Sequence, residues 1–415
     1  MNGERERTAN HGRRRRQGTR MNGKERIPPL DGLRTIMIFI VSWYHIWQQS
    51  WLQPMIGRTS LDWLVRSGYV WVDGTVLMSA FLLSLPYARA TRGEGALPEP
   101  QEFYYRRARR ILPSHYFIIL LTFLAICLPW DLYHGNGPWM VKDLATHLTF
   151  TFPFFFDTYM ATPLGGASWT LAIEAQAYLL FPWIARCAMR HPLKTAGCLL
   201  GICFGFRAWC LWGLTEYGMV VNQLINFLDV YVIGMAGAVL YTGADAKMRQ
   251  AGRKGRRIAE AAATALFIGA VAGLTALLKH QAGSNGYDQI QARQMIYRPL
   301  YALLFLGLMG GGIFGIRPLR ALLGNRVTRF LAGISMNYYL IHQVIVVHMK
   351  RIHFPPSASE TPHMAGEQPW QNQFTLLAFG LSLGAAILIT YGIEKPCGRL
   401  MDRRRARKQA SEAEA

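Results

Sequence analysis

The chain has 415 residues, of which 51% are hydrophobic and 17% are charged, whereas soluble proteins carry roughly 25% charged residues. Lys and Arg number 45 against 24 Asp and Glu, which gives a formal net charge of +21. Charge alone would suggest nucleic acid or an anionic surface as the partner. However, apolar runs of roughly 17 to 22 residues, about the length that crosses a bilayer, exclude a soluble nucleic-acid binder and a disulfide-stapled secreted domain.

The apolar runs predict an all-α membrane protein, a bundle of about ten transmembrane helices. The predicted spans are 33–51, 69–88, 114–130, 168–188, 195–213, 222–242, 258–278, 297–316, 330–349 and 373–393. Basic residues alternate between the connecting segments, so that 35 of the 45 lie on one side of this arrangement. Because cytoplasmic loops retain Lys and Arg, both termini are predicted to be cytoplasmic, in a multi-pass protein of the cytoplasmic (inner) membrane.

Three regions are predicted along the chain. Residues 1–29 form a disordered basic tail, residues 30–396 the membrane domain, and residues 397–415 a basic cytoplasmic tail. The arginine run Arg13–Arg16 has two interpretations, attachment to anionic lipid headgroups and simple control of topology, of which we favour the second. In the outer loop 131–167, the apolar stretch Leu144–Phe156 is too short to span comfortably, so it could lie in the interface or dip back into the protein.

Charged and titratable side chains are costly in a bilayer, so each one inside a predicted span is a candidate functional residue. Six of them, on six spans, lie at similar depth, about four to seven residues from the outer end. They are His45, Asp73, Glu174, Arg207, Asp229 and His342. One such residue alone could be a helix-end side chain that reaches the interface. The agreement of six favours a polar cavity that opens outward.

Two further patterns place arginines where they could bind an anion. Arg34 and His45 project from one face of the first span, because eleven residues make about three turns with a rise of about 16 Å. This separation suits a long cofactor with a charged head and a reactive tail, or else Arg34 is an ordinary cytoplasmic anchor. Arg106, Arg107 and Arg110 crowd one helical face, which phosphate oxygens would satisfy. Composition alone favours the simpler reading, a positive-inside loop.

From Leu30 to Pro396, an ordered set of motifs resembles the acyltransferase 3 family of integral membrane acyltransferases. The motifs are Arg34 with His45, Arg106-Arg107 with Arg110 to Pro113, Ser168 to Glu174 with Tyr178 to Pro182, Ser335 through His342, and Glu394-Lys395-Pro396. The chain departs from the family pattern at Thr75-Val76, Ser79-Ala80, Ala177 and Met336. These departures are expected to affect the shape of the acceptor pocket more than the chemistry.

The resemblance implies an acyl-coenzyme A dependent O-acyltransferase that acts on a hydroxyl of an envelope carbohydrate, with acetyl-CoA as the commonest donor. Arg34, Arg106, Arg107 and Arg110 would bind the donor's phosphates. His45 would be the general base, and Glu174 would orient its imidazole. Ser168, Trp169 and Tyr178 are expected in the pocket, and Asp73 and His342 are secondary candidates for acceptor binding. The predicted partners are the lipid bilayer, acyl-CoA and the carbohydrate, with no nucleic acid and, because the six cysteines lack zinc-site spacing, no metal.

Two other functions stay open. The acceptor could be a cytoplasmic small molecule such as a macrolide-like compound, although an outward-opening cavity favours the envelope carbohydrate. The chain could also be a proton-coupled transporter or flippase, because titratable residues in one layer also describe a proton relay. No inverted repeat or pair of interrupted helices supports transport, and dependence on an acyl donor would distinguish the two. The oligomeric state is not predicted.

Overall fold

The computed structural model describes residues 26–414, so the prediction for the first 25 residues lies outside the described chain. The elements in chain order are α1 (Pro28–Ser50), β1 (Met55–Ile56), β2 (Thr59–Ser60), α2 (Asp62–Arg66), α3 (Trp71–Ala90), α4 (Pro100–Thr122), α5 (Gly137–Leu148), α6 (Phe156–Tyr159), α7 (Trp169–Arg190), α8 (Pro192–Gly213), α9 (Leu228–Gln250), α10 (Arg253–Ala282), α11 (Tyr287–Phe314), α12 (Arg317–Leu323), α13 (Arg326–Arg351), α14 (Trp370–Ile389) and α15 (Lys395–Glu414). Short 3₁₀ turns cover Gly68–Val70, Phe152–Phe154, Gly166–Ser168 and Leu224–Phe227, and π-helical turns cover Phe123–Cys127 and Thr390–Glu394. β1 and β2 form a small antiparallel hairpin in which Met55 pairs with Ser60.

Eight helical stretches within residues 26–414 are long and apolar enough to cross a membrane. The predicted helical membrane protein is therefore confirmed, whereas the count of ten spans is not. The two predicted spans outside this set correspond to α1 and α7, which have 23 and 22 residues and so fall short in composition, not in length. Both carry the polar residues of the candidate site, including Arg34 and His45 on α1 and Glu174 on α7.

Helix α1 lies inside the bundle, where it contacts α3, α11, α12, α13 and α14. Pro28 and Pro29 occupy its first positions, which suits proline because the first helical N–H groups have no partner within the helix. Gly32 lies so close to α12 that any Cβ there would collide with the Leu323 carbonyl. Protein therefore surrounds much of this helix, which explains how it tolerates more polar residues than a lipid-facing span.

The segment 131–167, which the sequence predicted as an outer loop, folds into a compact cap around the buried carboxylate of Asp143. Tyr133 and Thr162 each donate a hydroxyl hydrogen bond of 2.8 Å to Asp143 Oδ2, and burial raises the pKa of Tyr133, which this carboxylate raises further. On the cap surface, Lys142 pairs with Asp157 at 2.7 Å and lowers the pKa of that carboxyl. The apolar stretch Leu144–Phe156 forms no span, because it is divided between the end of α5 and the following 3₁₀ turn.

Helix α4 begins at Pro100, well before the predicted span 114–130, so the arginine-rich segment is the first part of a membrane helix and not a loop. The C-terminal helix α15 packs against it. Arg109 forms a bidentate pair with Asp402 through two bonds of 2.7 Å, and Arg405 pairs with Glu102 at 2.6 Å. The segment predicted as a C-terminal tail is thus a helix that supports the arginine motif.

Candidate active site

His45 and His342 form a hydrogen-bonded pair between α1 and α13. His45 Nδ1 lies 2.7 Å from His342 Nε2, and the two rings are nearly parallel with centroids 5.0 Å apart. His342 Nδ1 lies 2.6 Å from the carbonyl oxygen of Tyr339, one turn earlier on α13. His342 is fully buried, whereas His45 is partly exposed. The sequence interpretation placed His342 in acceptor binding, and the structure gives it a contact with the proposed base instead.

The direction of these hydrogen bonds follows from the acceptor at their end. A carbonyl oxygen can only accept, so His342 Nδ1 must donate to Tyr339. While His342 is neutral, its Nε2 then carries the lone pair and accepts from His45 Nδ1–H. The remaining nitrogen of a neutral His45, Nε2, is therefore unprotonated. This is the form that a general base requires.

A polar cavity near this pair is lined by residues of α1, α3, α4, α7 and α13. It encloses about 110 Å³, enough for several water molecules. Its polar and charged lining residues are Arg34, Thr75, Ser79, Arg107, Arg110, Thr170, Glu174, Tyr178, Ser335 and Tyr339. Tyr339 connects the two features, because its side chain lines the cavity while its carbonyl accepts from His342.

Three arginines and one carboxylate give the cavity an excess of positive charge. Arg107 stacks over the rings of Phe103 and Tyr178, each with its guanidinium carbon 5.5 Å from the ring centroid. Its Nε atom is buried without a hydrogen-bond partner. A buried guanidinium donor normally finds an acceptor, so the cavity is suited to an anionic ligand that would supply one.

Arg106, the fourth predicted donor-binding arginine, points elsewhere. It is exposed and hydrogen bonds to Glu102, one turn earlier on α4. The prediction grouped it with Arg107 and Arg110 on one face. However, the Glu102 carboxylate draws its side chain to the helix surface and away from the cavity.

Within the described chain, Glu174 is not hydrogen bonded to His45, the residue that the sequence interpretation gave it as a partner. The position next to His45 Nδ1 is taken by His342. Glu174 Oε2 instead accepts from the Tyr178 hydroxyl at 2.7 Å and faces the arginine-lined cavity. Equal depth does not bring two side chains together, because the rotation of each helix decides the direction in which its side chains point.

The other polar residues of the predicted layer form a separate, closed cluster. Asp73 pairs with Arg298 at 3.3 Å, and Asp229 pairs with Arg207 at 2.7 Å. The backbone carbonyl of Asn226 accepts from both arginines. All four charged side chains are buried and paired across α3, α8, α9 and α11, and none of them lines the cavity. The prediction of one cavity holding all six polar residues is therefore wrong, and Asp73 does not line the cavity described above.

Of the other residues predicted in the pocket, one lines the cavity and two do not. Tyr178 lines the cavity, but Ser168 is buried and its hydroxyl donates to the Gly165 carbonyl at 2.8 Å. Trp169 packs near Phe227, with ring centroids 6.1 Å apart. Neither Ser168 nor Trp169 lines the cavity. Three of the positions that depart from the family pattern, Thr75, Ser79 and Met336, do line it.

The apolar helices, the arginine-lined cavity and the hydrogen-bonded histidine pair together define a multi-pass membrane protein with a polar site inside the helix bundle. Residues 27–395 match the acyltransferase domain family known as acyltransferase 3. Because the match covers most of the chain, the protein belongs to this family.

Two bacterial proteins illustrate the similarity. The chain is 28% identical over 162 residues to the Bacillus subtilis protein named "Putative peptidoglycan O-acetyltransferase YrhL". It is also 28% identical over 172 residues to the "O-acetyltransferase OatA" of Staphylococcus aureus. Each match covers 38% of this chain and about a quarter of the relative, 23% and 24% respectively. No solved structure matches the chain.

Proposed function

We propose that this protein is a membrane O-acyltransferase that moves an acyl group, most simply acetyl, from acyl-coenzyme A to a hydroxyl of an envelope carbohydrate. The observation that carries the proposal is the relay from the Tyr339 carbonyl through His342 to His45. It leaves His45 with an unprotonated Nε2 atom on a partly exposed ring. Family membership and the names of the relatives support acyl transfer to oxygen as the reaction.

The donor would bind through the arginine-lined cavity, which we place on the cytoplasmic side. Arg34, Arg107 and Arg110 are the cations that line it, and guanidinium groups match the oxygens of a diphosphate. Eleven residues of α1 separate Arg34 from His45, a rise of about 16 Å. A donor with its phosphates at the arginines would extend its thioester arm along α1 towards the histidine pair. Coenzyme A has this shape, a charged head joined to a long, flexible, mostly apolar arm.

Transfer would then proceed by general base catalysis. The acceptor hydroxyl oxygen attacks the thioester carbonyl carbon while His45 Nε2 takes the hydroxyl proton. As the tetrahedral intermediate collapses, the new C–O bond of the ester remains and the C–S bond breaks. The leaving thiolate takes the proton back from His45, which returns the ring to its starting form. His342 would fix the tautomer and the orientation of the His45 ring. In other enzymes an acidic side chain has this role beside a catalytic histidine.

Glu174 has a different role in this proposal. With its hydroxyl donor Tyr178, it fixes one wall of the donor cavity and offsets one of the three arginine charges. Without a carboxylate, the three arginine side chains would repel one another when no ligand is bound. One carboxylate reduces that repulsion and still leaves a net positive charge for the donor phosphates.

The reaction can be tested on cells that carry or lack the protein, by mass spectrometry of their envelope polysaccharides. We expect ester-linked acyl groups to disappear without the protein and to return with the wild-type gene but not with His45→Ala. Sealed vesicles supplied with acceptor on one face only would identify the side of transfer. An unchanged ester content in cells lacking the protein, or substrate movement without acyl-coenzyme A, would contradict the proposal.

A further inference from the structure

A second polar groove lies next to the arginine-lined cavity. Its volume is about 440 Å³, and it is lined by Arg109, Tyr391, Glu394, Lys395 and Arg399. These residues come from α4, from the π-helical turn that follows α14, and from the start of α15. The prediction of donor-binding residues included none of them.

The groove and the cavity share one wall. Arg109 lines the groove while its neighbour Arg110 lines the cavity. On the facing side, Asn337 donates a hydrogen bond of 2.7 Å to Glu394 in the groove, and the residue before it, Met336, lines the cavity. The two pockets therefore adjoin at residues 109 and 110 of α4 and at residues 336 and 337 of α13.

The groove carries three cations and one carboxylate. Arg109 is fixed in place by its bidentate bonds to Asp402. Lys395 and Arg399 are exposed and have no ion-pair partner among residues 26–414, and Lys395 Nζ lies 3.6 Å from the centroid of the Tyr391 ring. Asp402 neutralises Arg109, and Glu394 offsets one of the two remaining cations, so the groove keeps a net positive charge that suits a compact anion such as a phosphate monoester.

We infer that this groove binds the 3′-phosphate of coenzyme A while the 5′-diphosphate lies at Arg107 and Arg110 in the adjoining cavity. The inference rests on the proposed function, because it assigns a second part of the same donor. The 3′-phosphate is the only monoester of coenzyme A and carries close to two charges at neutral pH. It is joined to the diphosphate through one ribose, so the two sites must be neighbours. The shared wall between groove and cavity meets this requirement.

Two ligands that differ only in this group provide the test, namely coenzyme A and 3′-dephospho-coenzyme A. Binding of each is measured to the purified full chain in lipid nanodiscs, for the wild type and for Lys395→Gln/Arg399→Gln. The matched control is Arg403→Gln/Arg404→Gln, which removes two cations from the same helix outside the groove. We expect the wild type and the control to bind coenzyme A about tenfold more tightly than the dephospho form, since charge-assisted hydrogen bonds are lost. In the groove variant the two ligands should bind equally.

Other binding results would contradict the inference or the proposed donor. Equal binding of both ligands by the wild type, or a groove variant that still prefers coenzyme A, overturns the 3′-phosphate site while leaving the donor proposal intact. A wild type that binds neither ligand contradicts the proposed donor itself. If anionic lipid in the nanodisc abolishes the preference of the wild type for coenzyme A, and the groove variant loses that lipid dependence, a lipid headgroup occupies the groove and the inference is overturned.

Discussion

Two polar clusters inside the same bundle differ in what they leave unpaired. At the histidine pair, hydrogen bonds run in one direction from His45 through His342 to a backbone carbonyl, and one ring nitrogen of the partly exposed His45 remains available. In the ion-pair cluster, Asp73 lies against Arg298 and Asp229 against Arg207, all four buried. Both clusters place costly groups in the bundle, but the first keeps a reactive atom and the second pairs its charges.

The contrast refines the rule that polar residues within membrane spans are functional candidates. Depth is similar in both clusters, so it does not separate them. What separates them is the partner of each group and the solvent-accessible space beside it. The following predictions test this distinction, because substitutions in the first cluster should remove activity and leave the fold intact, while those in the second should remove stability.

Replacing His45 by Ala should have the largest effect. General base catalysis contributes about 10²–10⁴-fold, so acyl transfer to the acceptor should fall by about a thousandfold in membranes supplied with acetyl-coenzyme A. The arginine-lined cavity does not include His45, so the variant should still fold and bind coenzyme A with an affinity within experimental error of the wild type. Near-normal transfer by this variant would remove His45 from the mechanism.

Replacing Asp73 by Ala should instead unfold the protein. The change leaves Arg298 buried without its carboxylate, and breaking a buried pair costs about 3–5 kcal/mol. The measurement is the free energy of unfolding in detergent, which is determined by denaturant titration. The double variant Asp73→Asn/Arg298→Gln, which removes both charges, should recover most of the loss. If Asp73→Ala unfolds like the wild type but no longer transfers acyl groups, the ion pair belongs to the catalytic site and the contrast fails.

Replacing His342 by Phe should reduce kcat by about ten- to a hundredfold, with little change in donor affinity. Without an acceptor at His45 Nδ1, the neutral ring can place its proton on Nε2, where it no longer serves as a base. His342→Gln retains a side-chain acceptor and should recover much of the rate, which a purely structural role would not predict. The measurements are kcat, KM and the pH profile of transfer. Equal loss in both variants, with an unchanged pH profile, would argue against a positioning role.

The sequence predicted the fold class and the main candidate residues because both depend on local patterns. Apolar length identifies helices, and the resemblance to a family identified His45, Glu174 and the arginines. Neither pattern predicts which polar side chains contact one another, because these contacts depend on the rotation of each helix about its axis. Asp73 was assigned to the acceptor pocket although its partner Arg298 lies 225 residues away in the sequence.

The His342–Tyr339 contact was more accessible from the sequence. The two residues are three apart on a predicted helix, a spacing that places them on one face, and the fixed carbonyl then determines the tautomer. The groove was not, since Lys395 was assigned to the closing motif of the membrane domain and Arg399 to a basic tail, with no reason to connect either to a ligand. Only the packing of α15 on α4, through Arg109 and Asp402, places them beside the donor cavity.

The arginine motif provides the smallest and most local comparison. Arg106 and Arg107 are adjacent and identical in type, yet Arg107 lines the cavity with a buried, unpartnered Nε, whereas Arg106 is exposed and paired with Glu102. Arg107→Gln should weaken coenzyme A binding about tenfold, the effect of one charge-assisted hydrogen bond. Arg106→Gln should change it by less than about twofold, because exposed ion pairs contribute little. Titration of each variant with coenzyme A measures the difference. Equal losses would show that the motif attracts the donor through its total charge and not through the guanidinium groups that line the cavity.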